Sequence, residues 1–406
     1  MTTLTAPTEL APEDVPARMT GMLTAHPHQE GWQEAFLVSP TVQNHAANLA
    51  FLPDGTLTCV WFGGTMEGMG DISIYMSRLA PGSTAWSVPE KMTEDATKSE
   101  QNPIVFNAPD GKVWLIYTSQ VSGNQDGAVV KCRISSDGGK HFGEPRILCD
   151  LPGTFVRQPV IVNAAGDWLL PVFLCRALPG QRWTGDADTA GVLVSEDDGK
   201  NWSLTEVPDS YGAVHMNIVP RGDGRMVAFF RNRYATQILY SWSDDDGRNW
   251  SPPQPTVLPN NNSSIQAIDL KNGSIAIVYN HSNAESSDQR RLSLYDEIEG
   301  EGGDEAVDEQ AEPATGGTYD GPRAVWGVPR APLSLAFSYD DGVSFLEHVD
   351  LDTGDGYCLS NNSQQSLNRE FSYPSIIEGP DGTLHVAYTY FRRAIKYVRI
   401  PVGKEI

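Results

Sequence analysis

A turn of the form Ser-x-Asp-x-Gly-x-x-Trp/Phe recurs in one register along this chain, and that recurrence limits the fold more than any other feature. The copies are Ser135, Asp137, Gly139 and Phe142; Ser195, Asp197, Gly199 and Trp202; Ser243, Asp245, Gly247 and Trp250; and Ser338, Asp340, Gly342 and Phe345. A degenerate copy ends at Trp86. The Ser and Asp side chains can bond nearby backbone amides, Gly takes a positive φ, and the aromatic folds back as an apolar plug. Each copy follows a short apolar run, so it reads as the turn of a β-hairpin. One such turn would be ordinary in a β protein; several in register make a repeat.

A second hairpin signal alternates with the first. Strand, Gly-containing turn and strand begin at Asn44, Gln101, Arg157, His215, Ser263 and Ser372, with turn glycines at Gly55, Gly111, Gly166, Gly224, Gly273 and Gly382. These glycines lie about 55 residues apart as far as Gly273 and about twice that before Gly382, a period expected of a β-propeller. Each unit then holds four short antiparallel strands, A to D. The Gly turn joins A to B, and the Ser-x-Asp-x-Gly turn joins C to D. The expectation is an all-β, six-bladed β-propeller, with seven blades as the alternative. The last unit shows only A, B and C (Ala394 to Ile400), so the strand within Gly31 to Pro40 should supply its D and remove the open edges.

The domain reading is therefore a flexible or surface-draped segment over residues 1–30 and a single propeller over 31–406. An insertion at 283–329 lies between B and C of the fifth unit. From Asp296 to Glu312 it is rich in carboxylates and glycines, a composition that does not order itself. It reads as a solvated surface loop or as a mobile cover over the functional face.

Composition excludes several classes. A formal charge of −23 opposes nucleic acid and anionic membrane surfaces. No run approaches the roughly 18 apolar residues of a membrane span, and no secretory leader opens the chain. A cytoplasmic location is expected of the chain as written, and a secreted one if a leader precedes it. Cys59, Cys132, Cys149, Cys175 and Cys358 are odd in number and lack C-x-x-C spacing, which suggests reduced thiols rather than disulfides or zinc. No metal or cofactor is expected, a structural calcium ion and the oligomeric state being left open.

In a propeller the A-B and C-D turns share one face, so the site belongs on the other, where A strands start and B strands end. The A starts present His45, Gln101, Asn102, Arg157, Gln158, His215, Asn217, Asn262, Ser263 and Tyr373. The B ends present Glu67, Asp71, Tyr117, Arg176, Arg231, Arg233, Asn280, His281, Tyr388, Arg392 and Arg393. Polar and ionisable groups from all units converge there on one axial opening. The arginines among these groups leave room for an acidic small substrate in an otherwise acidic chain.

With these turns and this spacing the chain resembles the sialidase superfamily, from about Asn44 to Ile400. The resemblance implies six blades and a carboxylate-binding arginine set. It sets Arg231 on the second arginine, Arg330 on the third, and Tyr373 on the nucleophilic tyrosine. His45 stands where sialidases carry the first arginine, and His215 where they carry the tyrosine's glutamate partner. Without that glutamate a tyrosine of pKa about 10 is a poor nucleophile at neutral pH. In detail the chain is similar to a sialidase-like group with WFGGTMEG at Trp61 to Gly68, NNNSSIQA at Asn260 to Ala267, and YNH at Tyr279 to His281. That group includes enzymes releasing L-rhamnose from rhamnosyl-α-1,4-glucuronate by elimination, and His45 matches its catalytic histidine. The resemblance thus implies a lyase on an acidic glycan, with His45, His215 and Tyr373 moving protons. Arg231, Arg330 and Arg157 would hold the uronate, and Gln158, Asn102, Glu67, Arg176, Asn262 and His281 complete the candidate binding set. An exo-sialidase or other glycoside hydrolase is the alternative, and a non-catalytic carbohydrate-binding propeller the next.

Overall fold

The computed structural model describes residues 14–121, 125–178, 183–288, 290, 321–354 and 369–401. Six antiparallel sheets follow one another along the chain. The first blade is Gln43–Phe51, Leu57–Gly64, Ser73–Leu79 and Glu90–Lys91. The second is Lys98–Asn107, Val113–Val121, Val129–Ser135 and Arg146–Cys149. In the third, strand A is split into Thr154–Val156 and Ile161–Val162, ahead of Trp168–Leu174, Thr189–Ser195 and Ser203–Glu206. Ala213–Pro220, Met226–Asn232, Gln237–Ser243 and Gln254–Pro259 form the fourth. The fifth is Gln266–Asp269, Ile275–Asn280, Leu333–Ser338 and Glu347–Asp352. Phe371–Glu378, Leu384–Tyr390 and Ala394–Ile400 are completed by Gln33–Phe36, which pairs with Ala394–Ile400 and closes the ring as expected. Six sheets set aside the seven-bladed alternative.

Burial explains why the strands differ in composition. Each B strand lies between two neighbouring blades and is apolar along both faces: Leu57–Gly64 and Leu384–Tyr390 are buried throughout. Alternate residues enter different interfaces. Val113 and Leu115 pack toward the first blade, whereas Trp114 and Ile116 pack toward the third. The D strands face outward, and Arg146–Cys149 and Ser203–Glu206 are correspondingly exposed or half-buried. The core is a ring of inter-blade layers rather than one central mass.

The repeated turns pin those layers. In each, the glycine amide donates to the Ser Oγ, at 2.9 Å for Gly139, 2.8 Å for Gly199, 3.0 Å for Gly247 and 2.8 Å for Gly342. The aspartate accepts from the following turn, and Trp250 Nε1 returns to the Gly247 carbonyl at 3.1 Å. Gly247 has φ +83°, and a Cβ there would meet Leu169 of the preceding blade at 2.5 Å. Trp86, the degenerate copy, is buried against Tyr397 across the closing seam.

Of the segment expected to be flexible or draped over the surface, residues 14–30 are described. Val15 enters the layer that holds Phe36, Arg18 pairs with Glu34 at 3.0 Å, and Thr24–Ala25 adds a short strand to the sixth blade. One buried valine and one strand edge were enough to anchor a Pro-rich stretch. Residues 1–13 and the acidic run 296–312 lie outside the described residues. Cys59, Cys132, Cys149 and Cys175 are free thiols; Cys358 also lies outside.

Candidate active site

The A strands do not run straight into the axis. A register shift follows His45, Gln101, Val214 and Ser372, so that each strand carries a β-bulge at the same level. At these bulges Ala46, Asn102, His215 and Tyr373 all take positive φ, near +51° to +61°, and Asn262 does the same in the fifth unit. Such backbone is costly for residues other than glycine and clusters where a side chain has to be aimed. His215 and Tyr373 are therefore structural equivalents, and His45 stands one residue ahead of its own bulge.

Tyr373 is the hub. Its ring centroid lies 4.1 Å from that of His45 and 5.4 Å from that of His215. Its hydroxyl accepts from Arg231 Nη1 at 2.5 Å, while Arg231 Nε donates to Asn262 Oδ1 at 2.8 Å. Arg330 places its guanidinium carbon 5.5 Å from the Tyr373 centroid and donates to Glu370 Oε1 at 2.7 Å. A two-way backbone pairing fixes that approach: Arg330 N bonds the Arg369 carbonyl and Phe371 N bonds the Arg330 carbonyl. Arg392 Nε also donates to Glu370 Oε1, at 3.0 Å, and Arg392 Nη1 reaches Glu67. Ser372 Oγ adds a third bond to the same carboxylate oxygen at 2.6 Å.

Charge in this cluster is unevenly satisfied. Arg330 and Arg392 share Glu370, and Arg233 pairs with Asp188 at 2.7 Å. Arg231 pairs with no carboxylate among the described residues; burial lowers its guanidinium to about 9, with Arg233 and Arg330 adding to the fall. Burial also holds His45 well below 6.5, reinforced by Arg392, and holds His215 well below 6.5, reinforced by Arg231 and Arg233. Burial pushes the Glu370 carboxyl up, but Arg330 and Arg392, helped by the Ser372 hydroxyl, outweigh it and keep it well below the usual range. Two neutral imidazoles thus face a cationic wall. His45 Nδ1 contacts Thr389 Oγ1 at 2.8 Å. His45 Nε2, His215 Nδ1 and Glu370 Oε2 are buried with no hydrogen-bond partner among the described residues. Buried polar atoms left without a protein partner need one from elsewhere, an ordered water or a ligand.

The remaining candidates separate by position. Arg157 lies beneath Tyr373, with its guanidinium taken up by the carbonyls of Ala47, Tyr373 and Pro374 at 2.9 to 3.0 Å. Geometry gives it the role of a brace under the site rather than of a ligand. Gln158 sits in the same layer, bonded to the Ile265 carbonyl and to Gln266. Asn102 is buried at its bulge, and Asn262 orients Arg231. Arg176 turns outward to Glu206 at 2.9 Å, and His281 contacts Tyr279 at 2.7 Å and stacks on His348 at 5.0 Å; both point away from the Tyr373 cluster.

Glu370 was missed in sequence, although it stands three residues before Tyr373 at a strand start, where the rule for A strands would have found it. Arg392 and Arg233 stand at B ends in the sequence, where nothing sets them apart from the other arginines. Trp326 had no sequence signal. It belongs to the returning arm of the insertion, stacks near Arg231 and Arg233 at 5.8 and 5.1 Å, and bonds the Thr184 carbonyl. Val325 is held in the same arm by Asn262 and by Arg233.

Residues 55–386 match the family described as BNR repeat-like domain. No curated protein matches by sequence. Among solved structures, a protein of unknown function from Dyadobacter fermentans aligns with TM-score 0.64 and 14% identity, over 92% of this chain and 100% of that one. A Hadza microbial sialidase aligns with TM-score 0.62 and 14% identity, over 89% of this chain; the chain spans 66% of that protein. The intramolecular trans-sialidase from Ruminococcus gnavus, in complex with oseltamivir carboxylate, gives 0.59 and 13%, over 89% and 95%. At these identities the likeness is one of fold.

Proposed function

The chain belongs to the BNR repeat-like domain family, and from that premise we propose that it is a carbohydrate-active enzyme cleaving the terminal unit of an acidic glycan by β-elimination at a uronic acid, with rhamnosyl-α-1,4-glucuronate as the first substrate to test. One observation carries the reading. Tyr373 is flanked by two buried imidazoles held neutral, each with a nitrogen that meets no partner among the described residues, and its hydroxyl accepts from an arginine that pairs with no carboxylate among them.

The chemistry follows from those groups. Arg231 receives the substrate carboxylate, where charge builds as the C5 proton leaves, so it stabilises the transition state more than the ground state. A neutral imidazole, that of His45, takes the C5 proton. The C4–O4 bond breaks, a C4–C5 double bond forms, and the departing O4 takes a proton from the Tyr373 hydroxyl. Arg231 stabilises the resulting tyrosinate until the imidazolium proton is returned to it. His215, on the other side of the ring, orients Tyr373 or substitutes as acid.

A second reading, hydrolysis in the manner of a sialidase, has its own support: Arg231 and Arg330 lie beside Tyr373, and Arg392 shares Glu370 with Arg330. Mass spectrometry of the cleaved glycan in water labelled with heavy oxygen separates the two. Elimination predicts a glycan product lighter by one water and free of label, and replacing His45 by Ala should slow its release roughly a hundredfold or more. A glycan product that keeps the mass of the intact uronic acid, with the label on the released sugar, or unchanged turnover of His45→Ala, would rule the proposed step out.

A further inference from the structure

On the face opposite the candidate active site, where the turns gather, a cleft of about 550 Å³ opens between the second and third blades. Its wall is built from three segments: Lys112 beside the A-B turn of the second blade, Arg146 on that blade's outer strand, and Lys200 with Trp202 in the Ser-x-Asp-x-Gly turn of the third. The floor is Trp114. A volume in this range suits a small molecule or one end of a polymer.

The Arg146 guanidinium carbon lies 4.9 Å from the Trp114 ring centroid, and Arg146 Nε donates to Cys132 Sγ at 3.5 Å. The terminal nitrogens of Arg146 and the ammonium of Lys200 meet no carboxylate among the described residues, whereas Lys112 is paired with Asp110. Asp198 also lines the cleft, which leaves cations in excess there within a chain of formal charge −23. The indole N–H of Trp114 is buried without an acceptor among the described residues. Trp202 occupies the plug position that Trp250 fills in the next blade. Trp250 is buried, but Trp202 is only half-buried and keeps part of its ring open to the cleft.

We propose that this cleft is a second, non-catalytic binding site for an acidic saccharide. The pyranose ring of a uronosyl unit packs on the Trp202 indole, and its carboxylate is held by Arg146 and Lys200. An aromatic face beside a pair of unpaired cations recognises a ring that carries one carboxylate. A densely charged polyanion is disfavoured, because the rest of the surface repels it. A site so placed would anchor one part of an acidic polymer while the opposite face works on its end. The ligand class comes from the cleft's own rings and charges, and binding is read without turnover, so this proposal stands or falls apart from the elimination.

The test uses cellobiouronic acid, whose uronate has no leaving group at O4, with the full chain and detection by the tryptophan indole N–H resonances in NMR. The expected result is saturable movement of the Trp202 resonance, weakened about tenfold or more in Arg146→Ala. Turnover of a short substrate should be unchanged in that variant. Lys200→Ala, also on the surface, should weaken binding in the same direction. The proposal is overturned if Trp202 does not respond, if neutral cellobiose or inorganic phosphate moves it equally, or if both variants bind as the parent does.

Discussion

At the level of single residues, the account turns on imidazoles that stay neutral. Free histidine titrates near 6.5, but burial and the surrounding guanidiniums hold His45 and His215 well below that value in the folded chain. Below about pH 6.5 the unfolded chain therefore binds protons that the folded chain refuses, and stability must fall as the pH is lowered from about 7 toward 5. Glu370 acts lower down. Its depressed pKa stabilises the fold above the ordinary carboxyl range, and that contribution disappears as the pH falls through the folded value. Urea unfolding across this range should show the decline begin near the histidine pKa; a stability that is flat down to about pH 5 would contradict neutral burial of both rings. The same neutrality leaves the proposed base competent below the pH at which an ordinary histidine is lost. Placing His45, His215, Tyr373 and Arg231 on the axial face needed only strand order and turn positions. The same rule reaches Glu370 at its strand start, but gives no sign of what it neutralises. Only the folded chain shows that two arginines share it.

At the level of the element, the repeated turn explains how so polar a motif builds an apolar core. Its Ser and Asp bind backbone amides, and its glycine lets the turn press on the blade before it. Gly247→Ala combines a φ of +83° with a Cβ contact of 2.5 Å to Leu169, so a loss of roughly 1–3 kcal/mol is expected. Ser243→Ala, which strands the Gly247 amide, should cost about 1–2 kcal/mol. Chemical denaturation measures both, and an unchanged midpoint for Gly247→Ala would refute the close approach. These turns were fully readable in sequence because each is local. The bulges in the A strands were not: Asn102, His215 and Tyr373 have no shared residue type, and their positive φ follows from pairing with a B strand. The returning arm of the insertion was equally hidden, since its composition gave no sign that Trp326 would sit over Arg231.

At the level of the whole molecule, closure depends on a short N-terminal strand. Glu34 lies buried in it, 3.1 Å from Lys396 of the partner strand, and Lys396 also reaches Asp352 at 2.9 Å. The two carboxylates overcome the burial of Lys396 and raise its pKa. Removing one partner of such a buried set typically costs about 3–5 kcal/mol, so Glu34→Ala should loosen the ring and lower its melting temperature; parent-like stability would mean that this seam does not hold it. Six layers closed in this way bring His45 from the first blade, Arg231 from the fourth and Tyr373 from the sixth to one cluster. The most direct measurement of what that cluster does is ultraviolet absorbance during incubation with a glycan capped by rhamnosyl-α-1,4-glucuronate, run in parallel with a fluorogenic sialoside. The account predicts growing absorbance from a 4,5-unsaturated uronate, abolished by His45→Ala. A flat trace accompanied by sialoside cleavage would contradict it and make Tyr373 a nucleophile.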